Sequence, residues 1–300
     1  MSGDVCFVVK KNISKFFPLA HFFWLTFGIL FCILIFEVKK MISVLISVYN
    51  RFEGLRVTLD CIKRQQCNVE YEIVLCDDGS TGLIEWLSDN GYEGMTVVSQ
   101  NDLGFRLSRN RNNGVRESLG DFLIFLDQDF IVPDDFIQSV YDKRCENSKI
   151  CFLYCYLSEE TSKKICSVDY ESACEVASED EEYKMKNRIL DILVKQTPRR
   201  FPGLFACYKK DFIEYNGFDE GFIGWGLEDF EFDFRWLEFG GRNIVYDKVL
   251  LHLFHPYDNS KGVISINTEY YNQRCNSGSK ESKYGFFNTL GEDEYEVRCI

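Results

Sequence analysis

Short apolar runs alternate with amphipathic segments between residues 42 and 126. Four runs that are rich in Val, Ile, Leu and Phe and bounded by turn residues predict buried strands. These runs span residues 42–48, 72–75, 95–98 and 121–126. Three segments between them carry apolar residues at helical spacing, and they predict helices over residues 55–65, 84–87 and 107–119. Strands that alternate with helices favour a mostly parallel sheet with both faces covered, so we expect an α/β fold.

The pattern changes between residues 145 and 200. A strand is predicted at 151–156 and a helix near 189–193, with an acid-rich stretch between them. We interpret residues 145–200 as an insertion, and we expect its acidic side chains to form a solvated face.

A second well-patterned block covers residues 201–258. A helix is predicted to begin at Glu228 and Asp229 and to end at Gly240, because apolar residues recur between them at helical spacing. Strands are then predicted at 243–246 and 249–254. Residues 259–300 are polar and poorly patterned, and we interpret them as a C-terminal tail.

The first forty residues contain a separate apolar segment. Residues 16–36 include no charged side chain, and a stretch of about 20 such residues is long enough to span a bilayer as one helix. No small-residue cleavage site is evident, which favours an uncleaved anchor over a signal peptide. We therefore expect membrane association through this helix, with the globular domain in the cytoplasm. The alternative is that translation starts at Met41, which would give a soluble cytoplasmic protein.

Charge and cysteine usage narrow the classes of partner. The formal net charge is −13, which argues against a nucleic-acid backbone as partner because such binding needs a basic surface. The chain has 13 Cys without a C-x-x-C pair, which is typical of reduced thiols in a reducing compartment. A secreted chain with some disulfides is the alternative interpretation.

Acidic residues follow two of the predicted strands directly. Asp77 and Asp78 end one strand, and Asp127 and Asp129 end another. Open α/β sheets bind ligands at the carboxyl ends of their strands. Two carboxylates that are one residue apart can share a hard divalent cation, whose coordination a diphosphate can complete. The competing interpretation is that these are solvated turn acids, and that Glu228 and Asp229 only complement the dipole of their helix.

Five segments in order along the chain resemble the family 2 glycosyltransferases. The likeness is to the chondroitin-polymerase type, whose C-terminal half shares a Trp-Gly-Gly-Glu-Asp motif with the β-1,4-galactosyltransferases. The segments are Ser47-Val48-Tyr49-Asn50-Arg51, Asp77-Asp78-Gly79-Ser80, Arg111-Asn112-Asn113-Gly114, Asp127-Gln128-Asp129 and Gly224-Trp225-Gly226-Leu227-Glu228-Asp229.

The resemblance covers residues 41–257 and implies a GT-A fold, which is a Rossmann-like α/β/α sandwich around a mixed, mostly parallel sheet. It implies one domain over residues 41–258. Within this domain, residues 41–144 would form the nucleotide-binding half, and residues 201–258 the acceptor and catalytic half.

The resemblance also implies roles for individual residues. A UDP-sugar donor would lie against the residues Tyr49, Asn50, Arg51, Asp77, Asp78, Gly79, Arg111, Asn112 and Asp127. Mn²⁺ or Mg²⁺ would be held by Asp127, Asp129 and His252, with His255 as the alternative histidine.

The catalytic roles fall on the Gly224–Asp229 segment. The resemblance implies that Asp229 is the general base and that Glu228 hydrogen-bonds sugar hydroxyls beside it. Trp225 and Gly226 would contact the acceptor sugar. Leu227 replaces the second Gly of the family motif, which leaves the acceptor sugar open.

The expected function is metal-dependent, inverting transfer of a sugar from a UDP-sugar to a carbohydrate acceptor, as in polysaccharide or glycan synthesis. One alternative is a non-catalytic subunit that binds sugar nucleotides or glycans with the same fold. A second is a nucleotidyltransferase, which would carry a Gly-rich loop with a Lys or Arg after the first strand, whereas here the turn after that strand contains no Gly before Gly54.

Overall fold

The computed structural model describes residues 41–165, 169–196, 200–256, 264–291 and 294–300. The predicted transmembrane helix at 16–36 lies outside these residues. Within the described part of the chain, no helix combines the length and apolar character that are needed to cross a membrane. The cysteines that the structure describes are reduced thiols.

Strands and helices alternate along the described chain. The strands are β1 (Met41–Val48), β2 (Glu70–Asp77), β3 (Thr96–Gln100), β4 (Phe122–Asp127), β5 (Phe130–Ile131), β6 (Ser148–Cys151), β7 (Tyr154–Tyr156), β8 (Phe205–Tyr208), β9 (Arg242–Val245), β10 (Leu250–His252) and β11 (Tyr295–Cys299). The helices are α1 (Phe52–Lys63), α2 (Leu83–Asp89), α3 (Leu107–Glu117), α4 (Phe136–Asp142), α5 (Glu159–Lys164), α6 (Tyr170–Ala177), α7 (Glu181–Leu193), α8 (Lys209–Glu214), α9 (Glu228–Glu238) and α10 (Ile264–Asn276).

Eight of the strands form one mixed sheet. Their order is β11-β3-β2-β1-β4-β8-β6-β9, and β8 and β11 run antiparallel to their neighbours while the other pairings are parallel. The predicted α/β fold with a mostly parallel sheet is therefore confirmed. A small second sheet, β5-β10-β7, lies beside it.

Alternate residues of the central strand enter two separate cores. Val44 and Ile46 of β1 pack in one core with side chains from α1, α2 and α4, whereas Leu45 packs in the other with side chains from α3, α8 and α9. Because successive strand residues point to opposite faces, a fully apolar strand is expected where helices cover both faces. The result is an α/β/α sandwich.

One predicted strand is wrong as a single element. Residues 151–156 are divided between β6 in the main sheet and β7 in the small sheet. The chain leaves the main sheet at Phe152, whose backbone N–H donates to the carbonyl of Leu204. Continuous apolar character shows that a segment is buried, but it carries no information about which sheet receives each part.

The region after residue 259, whose pattern indicates no element, contributes two elements to the fold. Helix α10 packs against α9, and β11 extends the main sheet by antiparallel pairing with β3. The proposed division of the chain into halves, insertion and tail stays a prediction.

The register of the sheet brings the acidic strand ends together. In the parallel ladders, Val48 pairs with Asp77 and Ser47 pairs with Asp127. The polar loops that follow β1, β2 and β4 therefore emerge at the same edge of the sheet, side by side.

Candidate active site

A cleft of about 590 Å³ opens at this edge of the sheet. Its lining includes residues of the loops after β1, β2 and β4, residues of the segment after β10, and Trp225. Its lining residues are Ser47, Val48, Tyr49, Arg51, Asp78, Phe105, Leu107, Asp127, Gln128, Asp129, Tyr156, Leu157, Trp225, His252, Leu253, Phe254 and His255.

The loop after β1 is held in a strained conformation. Asn50 and Arg51 both have left-handed backbones, with φ of 51° and 52°. Such conformations are costly outside glycine and persist only where surrounding contacts fix them. The buried Gln128 fixes this loop, because its side-chain amide bonds both the N–H and the carbonyl of Tyr49 at 3.2 Å. Asn50 adds a link to the next loop, since its backbone N–H donates to Ser80 Oγ at 2.8 Å.

The two carboxylates that end β2 have different surroundings. Asp77 accepts hydrogen bonds from the Ser80 backbone N–H at 2.9 Å and from Ser99 Oγ at 2.8 Å, so it stabilises the turn. Asp78 lines the cleft and accepts from the Arg106 backbone N–H at 3.0 Å. Burial raises the pKa of Asp78 to about 6. The structure therefore brings Asp78 to the cleft but not Asp77.

Gly79 closes the same turn with φ of +90°. A Cβ atom at this position would lie 2.5 Å from the Asp102 backbone nitrogen, which is closer than real Cβ contacts allow. Glycine is therefore required where the turn after β2 passes the loop that follows β3.

Asp129, His252 and His255 converge in the cleft as a possible metal site. The Nε2 atoms of His252 and His255 lie 3.3 Å and 3.5 Å from the two carboxylate oxygens of Asp129. The Nδ1 atom of His252 is 2.8 Å from the Leu253 carbonyl, and that of His255 is 3.0 Å from the Pro256 carbonyl. Because a carbonyl only accepts, each Nδ1 carries a proton, and this leaves each Nε2 facing the Asp129 carboxylate.

This donor set fits a divalent cation. Asp129 Oδ1 is buried and has no hydrogen-bond donor among the described residues, a condition that a bound cation would relieve. Metal-bound histidines usually donate their other N–H to a carbonyl, as both do here. Two imidazoles and one carboxylate suit a transition ion such as Mn²⁺ better than Mg²⁺, which prefers oxygen ligands. The Arg51 guanidinium is the alternative positive partner of this carboxylate, because its Nη1 lies 3.2 Å from Asp129 Oδ2.

Asp127 lies in the same cleft but contacts Arg111 instead of the histidines. Arg111 Nη2 is 3.1 Å from Asp127 Oδ1, and Nη1 is 3.9 Å from Glu228 Oε1. The Arg111 side chain is only 5% exposed and also donates to Ser47 Oγ at 3.3 Å. One buried guanidinium thus joins the end of β4 to the start of α9, where the two halves of the predicted site meet.

Glu228 and Asp229 form a partly buried acidic pair in the first turn of α9. The pKa of Glu228 is raised to about 7, chiefly by burial and secondly by the neighbouring Asp229 charge, while Arg111 opposes the rise. Burial also raises the pKa of Asp229, which accepts a hydrogen bond from the Phe230 backbone N–H at 2.9 Å. Carboxylates with raised pKa values are better proton acceptors near neutral pH.

Trp225 lines the cleft with 42% of its surface exposed. It lies in a loop, residues 219–227, that we call the Trp225 loop. Gly226 and Leu227 follow with φ of 93° and 76°, so Leu227 occupies a left-handed position where the related motif has glycine. A side chain in this conformation costs roughly 1–2 kcal/mol.

Asn112 is not brought to the cleft. It is fully buried, and its Nδ2 donates to the Phe218 carbonyl at 2.9 Å and to Glu220 Oε1 at 3.0 Å. Its position indicates that it fixes the start of the Trp225 loop against α3.

Sequence reasoning gave no role to several residues of the cleft. Gln128 was visible as the centre of the Asp127-Gln128-Asp129 segment, although nothing local indicated that it would bond Tyr49. Tyr156 and Phe254 add aromatic surface to the rim, with 51% and 43% of their surfaces exposed. The one sequence signal for this location was that each is the last residue of a predicted strand, 151–156 or 249–254.

Two family models match the chain. The model described as Glycosyl transferase family 2 matches residues 43–215. The model described as N-terminal domain of galactosyltransferase matches residues 194–259. Together these ranges contain the strand-end acids, the Trp225 loop and both histidines.

Curated relatives share part of their length with the chain. Chondroitin synthase of Escherichia coli is 27% identical over 218 residues, which cover 65% of this chain and 32% of that protein. Chondroitin synthase of Pasteurella multocida is 26% identical over 65% of this chain and 22% of its own length. Validoxylamine A glucosyltransferase of Streptomyces hygroscopicus subsp. jinggangensis is 28% identical over 65% of this chain and 51% of its own length.

Proposed function

This chain belongs to glycosyltransferase family 2, and we propose that it moves a sugar from a UDP-sugar to a carbohydrate acceptor, with inversion at the anomeric carbon and with a divalent cation. The fold is of the GT-A type. The chain spans between about a fifth and a half of the length of the curated relatives above, and the proposal therefore leaves the donor sugar and the acceptor open.

The observation that carries the proposal is that the buried Arg111 guanidinium contacts both Asp127, which lines the cleft, and Glu228 at the start of α9. Asp129, His252 and His255 form the possible metal site, and Glu228 and Asp229 form the acidic pair. The Arg111 guanidinium connects them through its contacts with Asp127 and Glu228. Burial raises the pKa of the Glu228 carboxyl, and such a shift beside a cleft favours a catalytic site over a non-catalytic subunit of the same fold.

The nucleotide would occupy the side of the cleft nearest β2. Asp78, when ionised, offers a carboxylate oxygen to the uracil imide N–H, and Tyr49 offers a ring beside it. The placement of Tyr49 beside the nucleotide would explain why the backbone at Asn50 and Arg51 is strained.

Asp129, His252 and His255 would hold the cation, which we propose to be Mn²⁺ rather than Mg²⁺ because of the two imidazoles. A cation bound there stabilises the negative charge that develops on the departing diphosphate. Arg51, beside Asp129, is placed to exchange its contact with this carboxylate for one with a phosphate oxygen.

Asp229 would act as the general base. It would take the proton of the acceptor hydroxyl while the hydroxyl oxygen attacks the anomeric carbon from the face opposite the diphosphate. Glu228 would hydrogen-bond acceptor hydroxyls, and the Trp225 ring would cover the apolar face of the acceptor sugar.

A donor screen tests the proposal. UDP-glucose, UDP-galactose, UDP-glucuronate and the two UDP-N-acetylhexosamines would be offered with the p-nitrophenyl glycosides of the same five sugars as acceptors. Excess chelator should abolish UDP release, and Mn²⁺ should restore it more fully than Mg²⁺. If UDP binds but no donor and acceptor pair gives turnover, the non-catalytic alternative is favoured. Full turnover in excess chelator would refute the requirement for a divalent cation.

A further inference from the structure

Helix α10 lies outside both ranges that the family models match. Three of its residues nevertheless contact the Trp225 loop, at both the beginning and the end of the loop. Asn267, Tyr270 and Arg274 are spaced three and four residues apart, so they form one stripe on the helix. Asn267 and Arg274 are buried, with 2% and 7% of their surfaces exposed. Each of the three residues reaches the Trp225 loop through a polar contact.

Asn267 contacts the part of the loop that carries the tryptophan. Its Nδ2 donates to the Gly226 carbonyl at 2.9 Å and lies 3.4 Å from the Trp225 carbonyl. On the other side, the Gly224 backbone N–H donates to the Phe105 carbonyl at 2.9 Å. The loop has no regular secondary structure here, so these bonds fix the backbone on both sides of the indole.

The other two residues hold the beginning of the loop. The Tyr270 hydroxyl donates to Asp219 Oδ1 at 2.9 Å, and Arg274 Nε lies 2.8 Å from Asp219 Oδ2. The Tyr270 ring also packs over Gly221, where a Cβ atom would lie 2.3 Å from the Tyr270 hydroxyl oxygen. Arg274 is 3.4 Å from Glu231 as well, which ties the loop to α9 behind the acidic pair.

We propose that Asn267 is a positioning residue for the acceptor sugar, because its amide sets the height and angle of Trp225 over the cleft. The inference rests on the proposed function, since it assigns Trp225 to acceptor binding. Its side-chain amide bonds the carbonyls of Trp225 and Gly226, so we expect Asn267 to act on acceptor binding and not on donor binding. A displacement of about 1 Å in a substrate-orienting group can lower the rate by roughly 100-fold.

The test compares Asn267→Asp with Asn272→Asp. The first replaces the donating amide by an oxygen that faces two carbonyls, and the second makes the same chemical change at an exposed residue of the same helix. With the most active UDP-sugar and p-nitrophenyl glycoside pair, Asn267→Asp should lower acceptor kcat/KM by roughly 10- to 100-fold. The donor KM and the UDP release without acceptor should stay within about twofold of wild type, and Asn272→Asp should match wild type throughout.

Acrylamide quenching of tryptophan fluorescence supplies a second readout that needs no substrate. Trp225 is 42% exposed whereas Trp236 is buried, and Trp225→Phe in each background isolates the Trp225 contribution. Asn267→Asp should shift the quenching of Trp225, and Asn272→Asp should not. If Asn267→Asp does not fold, Tyr270→Phe, which keeps the ring and loses the bond to Asp219, should show the same acceptor-specific loss to a smaller extent.

Two results would overturn the inference. One is that Asn267→Asp behaves like Asn272→Asp in both readouts. The other is that donor KM and acceptor kcat/KM worsen together, which indicates general damage to the cleft. If wild type transfers no sugar from any donor, the proposed function fails, and the quenching of Trp225 alone then decides whether Asn267 positions the indole.

Discussion

Replacing Glu228 by glutamine should make the protein more stable above neutral pH while lowering its turnover. Glu228 is 7% exposed, and its Oε2 has no hydrogen-bond partner within the described residues. Burial and the Asp229 charge outweigh the attraction of Arg111, and they raise the pKa of Glu228 from 4.5 to about 7. Glutamine has nearly the same shape and no charge, so it removes the free-energy cost of burying an ionised carboxylate.

The sign and size follow from the shift. A carboxyl whose folded pKa lies above its unfolded value makes folding less favourable as pH rises through the interval between the two. A rise from 4.5 to about 7 corresponds to about 3 kcal/mol, of which roughly 2 kcal/mol falls between pH 5.5 and pH 8. Wild type should lose this stability over that interval, and the Glu228→Gln variant should not.

Urea unfolding at pH 5.5 and pH 8 measures the effect in chains that begin at Met41. The free energy of unfolding of Glu228→Gln minus that of wild type should grow by about 2 kcal/mol between the two pH values. Glu238→Gln, an exposed change near the other end of α9, is the matched control and should show no such growth. A difference between Glu228→Gln and wild type that is equal at both pH values would refute the reasoning.

Three further predictions concern the base, the metal and the N-terminal segment. Asp229→Asn can keep the hydrogen bond from the Phe230 N–H, so kcat should fall roughly 10²–10⁴-fold while UDP affinity and the thermal midpoint change little; turnover near wild type would contradict its role as base. His252→Ala should weaken Mn²⁺ binding, measured by calorimetry, by at least about tenfold, and an unchanged Kd would exclude this histidine as a ligand. If residues 16–36 anchor the protein, the full chain should resist carbonate extraction from membranes and the chain beginning at Met41 should be soluble and active. A full chain that is soluble without detergent would exclude the anchor.

The sequence determined the layers of the fold and the edge of the sheet where the cleft lies. Apolar runs such as the one in β1 can be read without knowledge of their partners, because burial on both faces demands apolar residues at every position. The acids after β2 and β4 could be placed at one edge for a similar reason, since parallel strands bring their carboxyl ends together. The short elements α4, α5, α8 and β8 lacked a pattern long enough to predict.

Only the tertiary structure decided which acids and histidines share the cleft. Asp77 and Asp78 are adjacent in sequence, but one stabilises a turn and the other faces the cleft. His255, which the sequence offered only as an alternative to His252, lies with it against Asp129, whereas Asp127 contacts Arg111. The role of Asn267 had no local sign at all. Periodicity reports whether a side chain is buried, but the identity of a buried polar partner depends on distant segments whose approach is set by the packing of the whole domain.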